Sequence, residues 1–277
     1  MMDIAKPEAV PSQLKQPLIH LLLSLADDEL VLGYWDSEWT GVAPLLEEDV
    51  ACSSIAQDEI GHARVLYEEV TALMGTPPDQ LVYGRRVQDY RQAQLVERHR
   101  GNWAFTMARQ FLYDSVDQLR LANLRHSAYR PLAQDVVKIQ QEESYHQMHT
   151  VAWMERLAHG TPEARHYLEQ ALESLWPDVP GLFEAFPDEE LLVTSGILPT
   201  ANADLQQEWF AAIEPVLERW NLSFPLLKRA ASPAKGMHYH PTFVPRLGGR
   251  HGHHTQDFHL LWERMTKVYR LDPLANW

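Results

Sequence analysis

The chain has 277 residues, 45% apolar and 22% charged, with a formal net charge of −14. That length can bury a sizeable core, and the acidic balance argues against a nucleic-acid partner. One cysteine, Cys52, excludes a disulfide framework or a cysteine-built metal site, no apolar run nears the ~18 residues of a membrane span, and the first residues lack the apolar core of a signal peptide, so a soluble cytoplasmic protein is expected.

Residues 1–16 read as a loose N-terminal arm. From Pro17, Leu18, Leu21, Leu22, Leu25, Glu29, Leu32 and Trp35 recur at helical steps. Gly41 and Pro44 mark a stop and a restart, and a second helix follows over 45–74, ended by Gly75-Thr76-Pro77-Pro78. Residues 79–101 are polar and irregular. A third helix is predicted over 103–127 and a fourth from Pro131 to 157, closed by Gly160-Thr161-Pro162. Shorter helices follow near 163–176, 205–220 and 256–270. No stretch alternates with period 2, so no sheet is expected. The fold class is all-α: a four-helix bundle over 17–160 with a C-terminal helical extension over 161–277, in one domain.

Two stretches inside these helices are near copies: Gln57-Asp58-Glu59-Ile60-Gly61-His62 and Gln141-Glu142-Glu143-Ser144-Tyr145-His146. Each holds Glu-x-x-His, which puts a carboxylate and an imidazole on one helix face, within reach of one metal ion. One such pair on a helix is commonplace. Two, each opposite a helix offering a further carboxylate, form the ligand pattern of ferritin-like di-metal proteins.

Height along the bundle selects the other carboxylates, because each residue rises about 1.5 Å. Glu59 lies 15 residues after Pro44 and Glu29 lies 15 before it, whereas Glu38 is only six before it. Glu29 is therefore preferred, and Glu38 reads as a helix-end residue. Asp114 lies about as far before the 128–131 turn as Glu143 lies beyond it. The candidate ligands are Glu29, Glu59, His62, Asp114, Glu143 and His146. Four carboxylates and two imidazoles suit two iron ions, with manganese as the alternative metal. Without metal, four acids in one core would repel and would resist ionisation. Gly61 reads either as close helix packing or as room beside the metal, at a cost of about 1 kcal/mol relative to alanine. Cys52 reads as a small core residue.

These motifs, with Trp39, Ala43-Pro44 and Asp114, resemble the catalytic ferritin-like subunit of the bacterial phenylacetyl-CoA epoxidases. In that family the catalytic subunit pairs with a related structural subunit that has lost its metal ligands. Ser37-Glu38-Trp39-Thr40-Gly41, Gly101-Asn102-Trp103, Trp153-Met154-Glu155-Arg156-Leu157 and the Gly248–Thr255 segment are similar to the structural subunit instead. The framework thus resembles one partner and the metal motifs the other.

The resemblance implies a di-iron monooxygenase subunit of phenylacetate catabolism that uses O2 to epoxidise the ring of an aromatic acyl-CoA. It implies electrons from a separate reductase, and a related ferritin-like subunit or a second copy as partner. The alternatives are a structural partner subunit without turnover, or a ferroxidase or manganese catalase using the same ligands. Phe111, Trp35, Ile55 and Leu66 are candidate pocket residues, and Arg85, Arg86, Arg98 and Arg100 are candidates for the CoA phosphates. The late histidines His238, His240, His251, His253, His254 and His259 read as a surface or interface loop rather than a second metal site.

Overall fold

A computed structural model describes residues 3–223, 227–232, 236–241, 243–273 and 275. Four long helices form the bundle: α1 (Ser12–Ser37), α2 (Leu46–Met74), α5 (Trp103–Leu124) and α6 (Arg130–Ala158). Short helices α3 (Pro78–Tyr83) and α4 (Gln94–Glu97) link the two hairpins. Beyond the bundle come α7 (Pro162–Leu175), α8 (Glu189–Ser195), α9 (Asn202–Arg219) and α10 (Gln256–Met265). Helix α1 packs along α2 and α5 along α6, while α7 and α9 cover α5. No described helix is long and apolar enough to cross a membrane.

Helix α1 is the axis of the molecule. Every residue from Leu21 to Gly33 is buried, so it is enclosed on all sides rather than on one stripe. At Gly33 an added Cβ would sit 2.9 Å from the Ile60 side chain and 3.0 Å from Glu59 Cβ, which lets α1 and α2 approach closely beside Glu59. At α5 the Asn102 side chain caps the helix by accepting from the Phe105 N–H at 2.9 Å.

Three expectations are corrected. Helix α1 begins at Ser12, not Pro17: Pro17 falls in the second turn, where it forfeits one backbone bond, and Leu14 is already buried. The N-terminal arm is fastened, not loose. Ile4 bridges to Tyr129, with its N–H donating to the Ala128 carbonyl at 2.8 Å, and the Ile4 side chain is buried. A β-hairpin is present, with β1 (Leu227–Ser232) antiparallel to β2 (Gly236–Pro241). Strand β1 does not alternate apolar and polar residues, and the short alternation of β2 over 237–240 has no matching partner run in the sequence to announce a hairpin. Helix α8, seven residues long, was also unforeseen.

Candidate metal centre

The four bundle helices bring the predicted residues to one height: Glu29 from α1, Glu59 and His62 from α2, Asp114 from α5, Glu143 and His146 from α6. None is more than 3% exposed. Ligand atoms of Glu29, Glu59, His62 and Glu143 lie within 4.8 Å of one another. His62 Nδ1 is 3.2 Å from Glu29 Oε2 and 3.4 Å from Glu143 Oε1. His146 Nδ1 is 3.0 Å from Glu143 Oε1 and 3.5 Å from Glu59 Oε1.

Asp114 stands apart. Its oxygens accept from Gln110 Nε2 at 3.0 Å and Thr150 Oγ1 at 3.0 Å, and the same Gln110 nitrogen donates to Glu59 Oε1 at 3.1 Å. Asp114 is thus tied to the cluster through Gln110 rather than by direct contact. Glu38 is not at this height. It ion-pairs with Arg264 on the surface, beyond the end of α1.

Each imidazole is braced from its outer side. His62 Nε2 is 2.9 Å from Glu142 and His146 Nε2 is 3.3 Å from Asp58. Each bracing acid immediately precedes the glutamate of the opposite motif. With Nε2–H donated to a carboxylate, Nδ1 is left facing inward, where it could ligate a metal ion. Tyr113 donates to Glu29 Oε1 at 2.6 Å.

The donor set fits metal ions. Glu59 Oε2, both Glu143 carboxylate oxygens and His146 Nδ1 are buried without a hydrogen-bond partner. Polar atoms in a protein interior are nearly always satisfied, so four orphans facing one another mark a place for a cation. The protonation states agree. Burial, then the negative charges of Glu29 and Glu143, push Glu59 far above the usual carboxylate range. Burial, then Glu143, does the same to Asp114. Burial alone would lower the histidines, but the surrounding carboxylates raise His62 to about 12 and His146 to about 10. Without metal, protons offset the repulsion among these carboxylates, and a cation could do the same.

Other candidates fall elsewhere. Arg85 pairs with buried Asp27 and Arg98 with buried Asp178, while Arg100 stacks over Trp39, so these three serve the fold; Arg86 makes an exposed pair with Asp89. Phe111 borders a cleft, whereas Trp35, Ile55 and Leu66 are buried in the interior. His254 lies 2.5 Å from Glu97 and His251 is paired with Glu184. The side chains of His238 and His240 lie outside the described residues. Cys52 is a buried core residue whose thiol burial pushes up to about 12. Gly61 fills neither expected role: it faces outward, and an added Cβ would meet nothing within 4 Å. Spacing missed Gln110, Tyr113, Asp58 and Glu142. Only the last two carried a signal, an acid before the glutamate in both motifs.

Two proteins of Escherichia coli (strain K12) are similar to this chain over most of its length. The C subunit of 1,2-phenylacetyl-CoA epoxidase is 30% identical over 256 residues, covering 92% of this chain and 97% of the relative. The A subunit of the same enzyme is 24% identical over 221 residues, covering 78% of this chain and 71% of the relative. The profile of the phenylacetic acid catabolic proteins matches residues 1–277, and the chain is a member of that family.

Proposed function

We propose that this chain is the oxygen-activating subunit of a phenylacetyl-CoA epoxidase-like monooxygenase, with Glu29, Glu59, His62, Asp114, Glu143 and His146 holding two iron ions. The observation that carries this reading is the set of buried atoms on Glu59, Glu143 and His146 that lie together without a hydrogen-bond partner. Two irons held by these residues would supply the oxygen chemistry: with two electrons from a separate reductase and two protons, one atom of O2 would pass to the aromatic ring of an acyl-CoA and the other would leave as water.

The chain's own residues position and protect. Four carboxylates offset the four positive charges of two ferrous ions. Glu142 and Asp58 fix the imidazole tautomers, Tyr113 holds Glu29, and Gln110 with Thr150 holds Asp114. Near-complete burial of all six ligands keeps bulk water from the reacting centre.

A second reading is favoured by one observation: identity to the epoxidase C subunit, 30%, exceeds that to its A subunit, 24%. In that case the chain is a partner subunit without turnover. The test is conversion of phenylacetyl-CoA to its ring epoxide by iron-loaded protein with a reductase and O2. Epoxide formed by this chain, and abolished by Glu143→Ala, supports the first reading. Metal binding without turnover supports the second, while rapid Fe(II) oxidation or peroxide dismutation with manganese would make it a ferroxidase or catalase.

A further inference from the structure

We infer that the two metal positions of the centre are unequal and that Gln110 makes them so. The position beside His62 stands open, and the position beside His146 is closed until the Gln110 amide turns away. This rests on the metal-binding part of the reading above and is independent of turnover.

The asymmetry lies in which oxygens are already engaged. Glu59 turns one oxygen to each half of the centre: Oε2 is 4.0 Å from His62 Nδ1, and Oε1 is 3.5 Å from His146 Nδ1. On the His62 half, Glu59 Oε2 and both Glu143 oxygens have no hydrogen-bond partner. Glu29 accepts from the Tyr113 hydroxyl through Oε1 at 2.6 Å and keeps Oε2 free of outside donors, 3.2 Å from His62. These four residues already bring ligand atoms within 4.8 Å of one another. The His146 half differs. Gln110 Nε2 donates to Glu59 Oε1 at 3.1 Å and to Asp114 Oδ1 at 3.0 Å, and Thr150 Oγ1 donates to Asp114 Oδ2 at 3.0 Å. His146 Nδ1 is left without a partner beside them. A cation held by Glu59, Asp114 and His146 has to displace that amide nitrogen, whose hydrogens put partial positive charge between the same two carboxyls.

The amide is placed to turn. Gln110 is 2% exposed, and its Oε1 is buried without a partner. A buried amide oxygen is seldom left unsatisfied. Here the nitrogen bonds two carboxyls while the oxygen of the same group bonds nothing. The terminal torsion of a glutamine is broad and roughly two-fold, so a half-turn exchanges the two ends. That turn releases Glu59 Oε1 and Asp114 Oδ1 together, and it brings the amide oxygen toward the place a cation would take. Gln110 and Asp114 are neighbours one turn apart on α5, so the exchange needs no movement of the helix. The first ion meets free oxygens, whereas the second has to offset the loss of both amide hydrogen bonds. Loading is therefore sequential, the His62 half before the His146 half, with the second ion held less tightly than the first.

Anaerobic titration of the metal-free full chain with Fe(II), read by competition with a chelator, tests this on wild type, Gln110→Met and Thr150→Val, with folding checked by circular dichroism. Wild type is expected to bind in two steps, the second at least about tenfold weaker than the first. Gln110→Met keeps the length of the side chain and donates nothing. It is expected to strengthen the second step at least about fivefold while the first stays within about twofold. Thr150→Val, which frees one Asp114 oxygen, is expected to strengthen the same step about threefold, and it carries the test alone if Gln110→Met does not fold. A loosened fold weakens both steps, so a gain confined to the second separates the gate from a merely structural role. Two equal steps in wild type, or variants whose second step is unchanged or weaker, overturn the gate and leave the metal centre standing. A wild-type chain that binds no Fe(II) overturns the metal-binding reading and the gate with it.

Discussion

Two clusters of buried carboxylates meet on helix α1, and they differ in what neutralises them. Asp27 and Asp28 face arginines: Arg85 pairs with Asp27, while Arg250 grips Asp28 at 2.7 Å and Arg120 stands 3.6 Å from it. One residue further on, Glu29 stands with Glu59 and Glu143, and the ion pairs these three make among the described residues are with histidines. Both clusters are inside the protein, where an unpaired charge costs several kcal/mol. The first carries its own cations, so its carboxylates Asp27 and Asp28 are charge-paired as folded. The second stays unsatisfied until cations arrive or protons stand in. The arginine-neutralised cluster holds the fold, and the cluster of carboxylates and imidazoles is the place we propose for metal.

The sharpest way to break this contrast is to remove a cation from the complete cluster. Arg250→Met should cost about 3–5 kcal/mol in denaturant unfolding of metal-free protein, because buried Asp28 loses its closest cation and keeps only Arg120, at 3.6 Å. Glu59→Gln, measured the same way, should cost nothing, since that carboxyl is already protonated without metal. Equal losses at the two positions would erase the distinction.

Next in size are the braces behind the histidines. Asp58→Asn and Glu142→Gln should each weaken metal binding by about 10- to 100-fold, read by competition with a chelator, while metal-free stability holds. Unchanged affinity would reduce these contacts to surface pairs.

The pH dependence sharpens the same point. In metal-free protein Glu59 and Asp114 are raised above their ordinary values, as are His146, to about 10, and His62, to about 12. The folded state then keeps protons that the unfolded chain releases above pH ~4 for the acids and ~6.5 for the histidines. Stability of the metal-free form should be greatest near pH 5 and should fall progressively toward pH 9. Glu29, held down at about 2 against burial by Glu59 and His62, acts in the opposite sense, and only below pH ~4. Metal loading should reverse the trend, because binding displaces protons and strengthens as pH rises. Thermal melts at pH 5.5, 7 and 8.5, with and without metal, read this directly.

The smallest effect concerns a position outside both clusters. Gly61→Ala should raise stability by up to about 1 kcal/mol in the same melts, with metal binding unchanged, since the added methyl meets open space.

Much of this was legible in the sequence because the helix converts spacing into position. The count outward from Pro44 put Glu29, not Glu38, beside Glu59, and the structure has the two together. The count succeeded although α1 stops at Ser37, well short of Pro44, because Glu38 is stranded at the helix end with Arg264. That the six residues bind metal remains the proposal. The arginine cluster was not legible. Arg250 and Asp28 stand 222 positions apart, and no local period ties them, so Asp27-Asp28-Glu29 read as a plain acidic run. Gly61 misled for the opposite reason: its neighbours in sequence face the metal centre, but its own face of α2 looks outward.

The central claim is tested most directly by metal stoichiometry. Protein reconstituted anaerobically with Fe(II), then desalted, should retain about two ions per chain, and a Glu59→Ala/His146→Ala variant that folds normally should retain almost none. A correctly folded wild-type chain holding neither iron nor manganese, or a double variant holding as much as wild type, would contradict the account.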